Sequence, residues 1–354
     1  MSILFSPLRI RGVELKNRIV VSPMCQYSSI DGMPNDWHLV HLGSRAVGGA
    51  ALVIMEATAV SPEGRISPED GGIWNDEHVD AYKKITSFIS SQNSIPGIQL
   101  AHAGRKASTY SPWKGKGAVA IKDGGWQTIA PSAIPFAENY PLPVEMTKDD
   151  IRNVINQFKS AAERSISAGF RIIELHMAHG YLIHEFLSPH SNQRKDNYGG
   201  SLENRSRLAL EIAKVVRETI PGEIPLFARI SSTDWIKGGW DIEQSIQLAR
   251  WLKESGIDLI DCSSGGNVVN AQIPAGPGYQ VIFSERIKKE AEILTGAVGL
   301  ITSPMQAENI IRTFQADVVI LAREILRNPY WPLYAAKELN TDLEWPVQYL
   351  RAKQ

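Results

Sequence analysis

The stretch Phe170-Arg171-Ile172-Ile173-Glu174-Leu175-His176-Met177 carries the pattern that decides the fold. It is short and almost continuously apolar, as is typical of a strand in a parallel sheet that is covered on both faces. The preceding segment, Lys148–Ala168, repeats apolar residues at intervals of three and four, which predicts an amphipathic helix. Gly169 stands between the two, where a glycine commonly ends a helix. A helix followed by a buried strand is the repeating unit of an α/β fold.

The same unit recurs along the chain, with further helical patterns at Glu203–Ile220 and Ile242–Ser255. Eight apolar runs alternate with amphipathic segments without a break in composition, so we predict one closed (β/α)8 TIM barrel over residues 1–354. A doubly wound sheet is the alternative, but its glycine-rich G-x-G-x-x-G fingerprint is absent from the sequence. The predicted strands are Asn17–Ser22, Ala51–Thr58, Pro96–Ala103, Phe170–Met177, Pro225–Ser231, Leu259–Ser263, Ala297–Thr302 and Asp317–Ala322.

Two segments depart from this repeat. Leu8–Leu15 is predicted to form a β-hairpin that turns at Arg11–Gly12 and lies as a lid on the closed bottom of the barrel. Residues 106–146, after the third strand, are rich in glycine, proline and tryptophan and show no clear period. Because the loops that follow barrel strands build the catalytic face, we expect this long loop to cap the active site.

Composition and charge narrow the class of protein. The formal net charge is −1 and no Lys/Arg block occurs, so we expect no nucleic-acid partner. The most apolar stretch, Ala50–Val60, contains Glu56 and is too short to cross a bilayer, so we expect no membrane partner. The two cysteines, Cys25 and Cys262, form neither a disulfide framework nor a C-x-x-C motif. We therefore expect a reduced, cytoplasmic compartment.

Polar residues cluster where four of the predicted strands end. The clusters are Ser22–Tyr27, Gln99–Lys106, Glu174–Tyr181 and Arg229. The active site of an α/β barrel is built at this end of its strands. A lone arginine or histidine at a strand end is often only a structural hydrogen-bonding residue. Four clusters at the expected end indicate a catalytic site.

His176 and His179, followed by Tyr181, form the densest cluster. The H-x-x-H spacing can bind zinc, as in a metal-dependent barrel hydrolase, but a zinc site needs a third protein ligand. Glu174 shares the strand face of His176, and nothing else nearby completes a metal site. Two imidazoles and a phenol also suit the polarisation of a carbonyl group and the protonation of a carbon atom. We favour carbonyl polarisation and proton donation, with no metal bound, and we keep the metal-dependent hydrolase as the alternative.

Three of these clusters, together with two further segments, resemble one family, the old yellow enzymes of the bacterial, cysteine-containing class. The resemblance covers nearly the whole chain, and it implies an ene-reductase in a TIM barrel that binds FMN and uses NADPH as its reductant. The segments that carry the resemblance are Asn17–Tyr27, Gln99–Lys106, His176-Met177-Ala178-His179-Gly180-Tyr181-Leu182, Asn197-Tyr198-Gly199-Gly200-Ser201-Leu202-Glu203-Asn204-Arg205 and Pro346-Val347-Gln348-Tyr349.

The resemblance assigns a set of residues to FMN. Cys25 would tune the reduction potential of the flavin ring, although a free cysteine is more often a small buried hydrophobic residue. Gln99 would hydrogen-bond the pyrimidine edge, and Arg229 would stabilise the negative charge that builds near N1 and O2 on reduction. The implied FMN-binding residues are Ser22, Pro23, Met24, Cys25, Ala57, Gln99, Arg229, Ala322 and Arg323.

The chain departs from the family at the end of the eighth strand. The usual Gly-Arg pair, whose backbone amides bind the FMN phosphate, is here Ala322-Arg323. Alanine keeps the N–H donor but disfavours a positive φ. We therefore expect phosphate binding to persist if Ala322 has a negative φ.

The resemblance also implies a reaction in two steps. NADPH delivers hydride to flavin N5 and leaves, and hydride then passes from N5 to the C=C bond of an α,β-unsaturated carbonyl compound, such as an enone or a quinone, or of a nitro compound. His176 and His179 would bind the substrate oxygen, Tyr27 would help to orient the substrate, and Tyr181 would donate the proton. A barrel that binds flavin without turnover is a further alternative.

The C-terminal tail, residues 341–354, carries an unusual aromatic set for a chain end, including Trp345 and Tyr349. Pro346 disfavours a continuing helix. In related enzymes the matching arginine reaches the partner's flavin pocket, so the resemblance implies that Arg351 contributes to the substrate site of the neighbouring subunit. We expect a homodimer or a dimer-based homotetramer.

Overall fold

The chain folds into a closed barrel of eight parallel strands, which confirms the predicted fold class. The computed structural model describes residues 2–353. The strands of that range are β1 (Leu8–Ile10), β2 (Val13–Leu15), β3 (Ile19–Val21), β4 (Leu52–Ala59), β5 (Ile95–Ala101), β6 (Ile129–Ala130), β7 (Val144–Glu145), β8 (Ile172–Met177), β9 (Leu226–Ser231), β10 (Leu259–Ser263), β11 (Leu294–Ala297) and β12 (Val318–Leu321). The barrel runs in the order β3-β4-β5-β8-β9-β10-β11-β12 and closes where β12 pairs with β3.

The helices pack outside the barrel, and several of them begin where a side chain caps a free backbone N–H group. At the start of α3 (Lys148–Ser167), Thr147 and Asp150 each accept a backbone N–H of the other, as a capping box. None of the helices within residues 2–353 has the length and apolar character that crossing a bilayer requires. The helices are α1 (Asp36–Val47), α2 (Glu77–Ser91), α3 (Lys148–Ser167), α4 (Leu182–Leu187), α5 (Leu202–Thr219), α6 (Ile242–Glu254), α7 (Val281–Ala291), α8 (Pro304–Arg312), α9 (Arg323–Arg327) and α10 (Trp331–Glu338).

The predicted seventh strand, Ala297–Thr302, is wrong. The strand is β11, Leu294–Ala297, and the apolar residues that follow it leave the sheet. Gly299 has a φ of +120° and Leu300 a φ of +52°. Because a left-handed backbone cannot continue a β-strand, the chain turns outward there. The apolar run that suggested a strand instead lines a cavity beside the end of β12.

The predicted N-terminal hairpin is confirmed, with β1 and β2 paired antiparallel across Arg11 and Gly12. Arg11 has a φ of +48° and pairs with Asp258 at 2.6 Å. The backbone N–H of Gly12 donates to the carbonyl of Glu223 at 3.0 Å. Because Asp258 and Glu223 precede β10 and β9, the hairpin lies under the amino ends of the barrel strands. It covers the bottom of the barrel, opposite the predicted catalytic face.

The long loop after β5 contains β6, β7 and short turns, and it reaches back over the carboxyl ends of the strands. Trp113 packs edge-on against Tyr27, with 5.7 Å between ring centroids. Phe136 lies with its ring centroid 4.4 Å from Nζ of Lys106. Since Tyr27 follows β3 and Lys106 follows β5, the loop contacts residues at the mouth of the barrel.

Candidate active site

The strand-end residues that the sequence singled out meet inside the mouth of the barrel. The register places His176 of β8 beside Arg229 of β9. Nη1 of Arg229 donates to the hydroxyl of Ser22 at 3.0 Å. The amide of Gln99 donates to Glu174 at 2.8 Å. All five side chains are buried, so residues of β5, β8 and β9 and the residue that follows β3 form one enclosed polar site.

The two histidines and Tyr181 form one group, as predicted. The ring centroid of His176 lies 5.1 Å from that of His179 and 5.0 Å from that of Tyr181. His179 has a φ of +61°, an uncommon conformation for a residue with a side chain, and such positions often occur at functional sites. The rings of His179 and Tyr181 therefore both lie next to His176, near the end of β8.

Both imidazoles are neutral in this environment. Burial lowers the pKa of His176 and of His179 well below the ordinary value, and the Arg229 cation lowers it further. Nδ1 of His176 accepts the backbone N–H of Ala178 at 3.3 Å, so the single proton of the neutral ring lies on Nε2. His176 can therefore donate a hydrogen bond without carrying a charge.

The geometry does not favour the metal-dependent hydrolase. Nε2 of His179 lies 2.7 Å from the hydroxyl of Ser263, so a hydroxyl group engages this ring nitrogen. Nδ1 of His176 is engaged by a backbone N–H. Among residues 2–353, no group of three or more His, Cys, Asp or Glu side chains is placed to hold a metal ion.

Cys25 lies at the mouth of the barrel, in the segment that follows β3. It is mostly buried and has no disulfide partner, whereas Cys262 is fully buried in the core. Burial raises the pKa of the Cys25 thiol well above its ordinary value, and the carboxylates of Asp70 and Glu56 raise it further. The thiol is therefore neutral, and it lies close enough to Ala57 to interact with the backbone N–H of that residue. Pro23 and Met24 are also half-buried in this segment.

Lys106 is a site residue to which the sequence assigned no role. Its ammonium group donates to the backbone carbonyls of His179 at 2.8 Å and Gly266 at 2.9 Å. It also lies 5.1 Å from the ring centroid of Tyr181. Burial lowers its pKa to about 8. The sequence feature that could have identified Lys106 is its position after the third predicted strand, at the end of the Gln99–Lys106 cluster.

A cavity of about 170 Å³ extends from the polar site to the ends of β11 and β12. Arg229 and Ser263 line it on the barrel side, and Gly299, Ala322 and Arg323 line it on the other. Ala322 has a φ of −112°, so it lies outside the positive-φ region that favours glycine. The sequence predicted that phosphate binding at Ala322-Arg323 would persist if the φ of Ala322 were negative, and the φ is negative.

The structure does not bring Arg351 to the site of its own chain. Arg351 is exposed and lies in a short 3₁₀ helix, Val347–Ala352. In the same tail, the ring of Tyr349 packs against Tyr330 with 6.0 Å between centroids. Residues 343–348 lie beside Asn17, at the amino end of β3. Within one chain the tail therefore packs far from the residues at the carboxyl ends of the strands.

Comparison with known proteins identifies the family. The model of the NADH:flavin oxidoreductase / NADH oxidase family matches residues 3–342. The NADPH dehydrogenase of Bacillus licheniformis is 53% identical over 351 residues, covering 99% of this chain and 98% of that protein. The NADPH dehydrogenase of Geobacillus sp. (strain WCH70) is 54% identical over 352 residues, with 99% and 98% covered. The old yellow enzyme homologue of Zymomonas mobilis superimposes with a TM-score of 0.80 at 27% identity, covering 97% of this chain and 94% of that one. The chain belongs to the NADH:flavin oxidoreductase / NADH oxidase family and is a homologue of the old yellow enzymes.

Proposed function

We propose that the protein reduces the C=C bond of α,β-unsaturated carbonyl compounds, using FMN as its cofactor and NADPH as its reductant. The observation that carries the proposal is the group of two neutral imidazoles and one phenol at the end of β8. The ring centroid of His176 lies 5.1 Å from that of His179 and 5.0 Å from that of Tyr181. Neutral hydrogen-bond donors suit a carbonyl oxygen that gains negative charge during the reaction. Membership of the family and the NADPH dehydrogenase relatives supply the cofactor and the reductant.

The residues present fit FMN. Arg229 is a permanently charged donor, and burial strengthens its interaction with an electron-rich ring. The cavity that runs from Arg229 to Ala322 and Arg323 has room for a chain that ends in a phosphate group. FMN supplies hydride transfer when it is bound. Ser22, Pro23, Met24 and Cys25, with Ala57, Gln99 and Arg229, would hold its ring, and Ala322 and Arg323 would hold its phosphate.

The histidines and tyrosines would have different roles toward the substrate. Nε2–H of His176 and the imidazole of His179 would donate hydrogen bonds to the substrate oxygen and draw electron density toward it. Burial raises the pKa of the Tyr181 phenol well above its ordinary value, so Tyr181 keeps its proton at neutral pH and can give it to the α-carbon. Tyr27, which Trp113 of the long loop packs against, would help to orient the substrate under that loop.

The reaction can be tested by its stoichiometry. Anaerobic incubation with NADPH and 2-cyclohexenone should give cyclohexanone in an amount equal to the NADPH oxidised. Replacement of the enone by cyclohexanone, which has no C=C bond, is the control, and it should oxidise no more NADPH than the amount of flavin bound to the protein. NADPH oxidation without reduction of the enone would contradict the proposed substrate class, and no NADPH oxidation would favour a barrel that only binds flavin.

Two residues that line the cavity beside β11 and β12 should differ in how much their substitution weakens FMN binding. Gly299→Ala should weaken FMN binding by roughly tenfold or more, because strain of about 1–3 kcal/mol at a positive φ would displace the backbone. The new Cβ would also meet Nε2 of Gln280 at 2.9 Å. Ala322→Gly should change the affinity by less than about threefold, since Ala322 already has a negative φ. Fluorescence titration of the apoprotein with FMN measures both affinities, and equal effects would contradict this account.

The tail makes a prediction about assembly. Val347, Tyr349 and Leu350 expose apolar surface on the tail, which suits contact with a second subunit. We propose a homodimer, or a tetramer built from such dimers, in which Arg351 lines the partner's substrate site. Deletion of residues 349–354 should weaken the dimer and raise the KM for enones, while the barrel still folds and binds FMN.

The matched control for the deletion is Arg351→Ala. This substitution should raise KM but leave the dimer intact, because the apolar contacts remain. Sedimentation equilibrium and steady-state kinetics separate the two effects. If the truncated protein keeps its full activity and its oligomeric state, the tail has no role in a neighbouring site.

A further inference from the structure

Four buried polar side chains form a layer inside the barrel, next to the histidines. They are Gln99 of β5, Glu174 of β8, Arg229 of β9 and Asp261 of β10, on four adjacent strands. The register pairs Gln99 with Glu174, and Arg229 with Asp261. Exposure is 2% for Gln99, 6% for Arg229 and 0% for both carboxylic residues. Gln99 and Arg229 have proposed roles toward FMN, whereas Glu174 and Asp261 have none.

The two carboxyl groups contact those two FMN residues directly. Oε1 of Glu174 accepts a hydrogen bond from Nε2 of Gln99 at 2.8 Å. Oδ2 of Asp261 lies 3.2 Å from Nε of Arg229, and the two form an ion pair. Nη1 of Arg229 is directed to Ser22, on the far side of the barrel mouth. Each carboxyl group is therefore placed to fix the orientation of one FMN-contacting side chain.

The layer holds two carboxyl groups and one cation without access to water. Two carboxylates in one buried layer repel each other strongly, so one of them retains a proton. Burial, together with the charge of Asp261, raises the pKa of Glu174 to about 8. Burial raises the pKa of Asp261 to about 6, while Arg229 opposes that rise. Glu174 is accordingly the neutral acid, and Asp261 carries the charge that pairs with Arg229.

We propose that Asp261 and Glu174 are positioning residues that set the charge presented to the flavin ring. Asp261 offsets part of the positive charge of Arg229. Glu174 stays uncharged and holds the amide of Gln99 in one orientation. The inference rests on the proposed placement of FMN against Gln99 and Arg229, and it does not depend on which substrate the enzyme reduces.

The test is the reduction potential of the bound flavin, measured by dye-coupled redox titration of the holoprotein. Asp261→Asn removes an anion beside Arg229 and keeps the shape of the side chain. It should favour the reduced form at least tenfold, which corresponds to a potential higher by about 30 mV for a two-electron couple. The matched control is Asp317→Asn, because Asp317 is also buried and ion-paired, with Lys288 at 2.8 Å, but precedes β12 at the opposite end of the barrel. The control should leave the potential unchanged.

Glu174 is tested through FMN affinity. Glu174→Leu removes the acceptor for Gln99 and should weaken FMN binding by roughly tenfold, as expected for one buried hydrogen bond. Glu174→Gln is uncharged and still offers an acceptor, so it should restore the affinity to within about threefold. Equal losses in the two variants would show that the charge of Glu174 matters, which contradicts its assignment as the neutral acid.

A second neutral variant, Asp261→Ser, allows the potential to be measured even if Asp261→Asn does not fold. Its smaller side chain leaves room for a water molecule beside Arg229. If either neutral variant binds FMN and its potential rises, the proposal is supported. If the potential stays at the unmodified value, or if neither variant binds FMN, Asp261 serves folding alone and the proposal fails. A rise in potential with no enone reduction would support this inference while contradicting the proposed substrate.

Discussion

Replacing Tyr181 with phenylalanine is expected to slow the reduction of simple enones by a factor of roughly 10²–10⁴, the range typical of a general acid. The substitution removes the phenol proton but keeps the ring that packs 5.0 Å from His176. Reduction of the flavin by NADPH needs no proton from this side chain, so its rate should stay near normal. Anaerobic stopped-flow measurement of the two half-reactions separates these effects.

Tyr140→Phe is the control for this prediction. Tyr140 is another phenol whose pKa burial raises, and it packs against Phe136 in the long loop. Its substitution should leave both half-reactions nearly unchanged. If Tyr181→Phe slows both half-reactions equally, or if Tyr140→Phe produces the same loss, Tyr181 is not the proton donor.

Replacing His179 with alanine is expected to slow enone reduction by roughly 10²–10³, the usual cost of one donor to a developing oxyanion. The loss should appear in the enone half-reaction and not in the reduction of the flavin by NADPH. Because the pKa of both imidazoles lies well below the ordinary value, the rate of enone reduction should show no histidine titration between about pH 6 and 8. Protonation would occur only at more acidic pH.

His190→Ala is the matched control, since His190 is an exposed imidazole on the loop that follows α4. It should reduce enones at the unmodified rate. A histidine titration near pH 6.5 in the unmodified enzyme, or a loss of less than about fivefold in His179→Ala, would contradict the role of neutral donors.

Much of the fold could be predicted because the barrel strands are buried on both faces. The strand at Ile172–Met177 is apolar almost throughout, and the capping box at Thr147 marks the start of its preceding helix. The seventh strand was misplaced because apolar periodicity cannot distinguish a strand from an apolar turn. Only the positive φ of Gly299 and Leu300 ends the strand at Ala297.

The site could be predicted in part. His176, His179 and Tyr181 are adjacent in sequence, so their grouping follows from a local pattern. The layer of Glu174 and Asp261 depends on the register of neighbouring strands, which no local pattern reveals. Lys106 belongs to the site because its ammonium group reaches the backbone of His179, a contact between loops that are distant in sequence.

The visible absorbance spectrum of the purified protein, recorded before and after anaerobic NADPH, tests the central claim most directly. We expect the bands of oxidised FMN, their bleaching by NADPH, and their return when cyclohexenone is added. A colourless protein that does not bind added FMN, or bound flavin whose bands return with oxygen but not with the enone, would contradict an FMN-dependent ene-reductase.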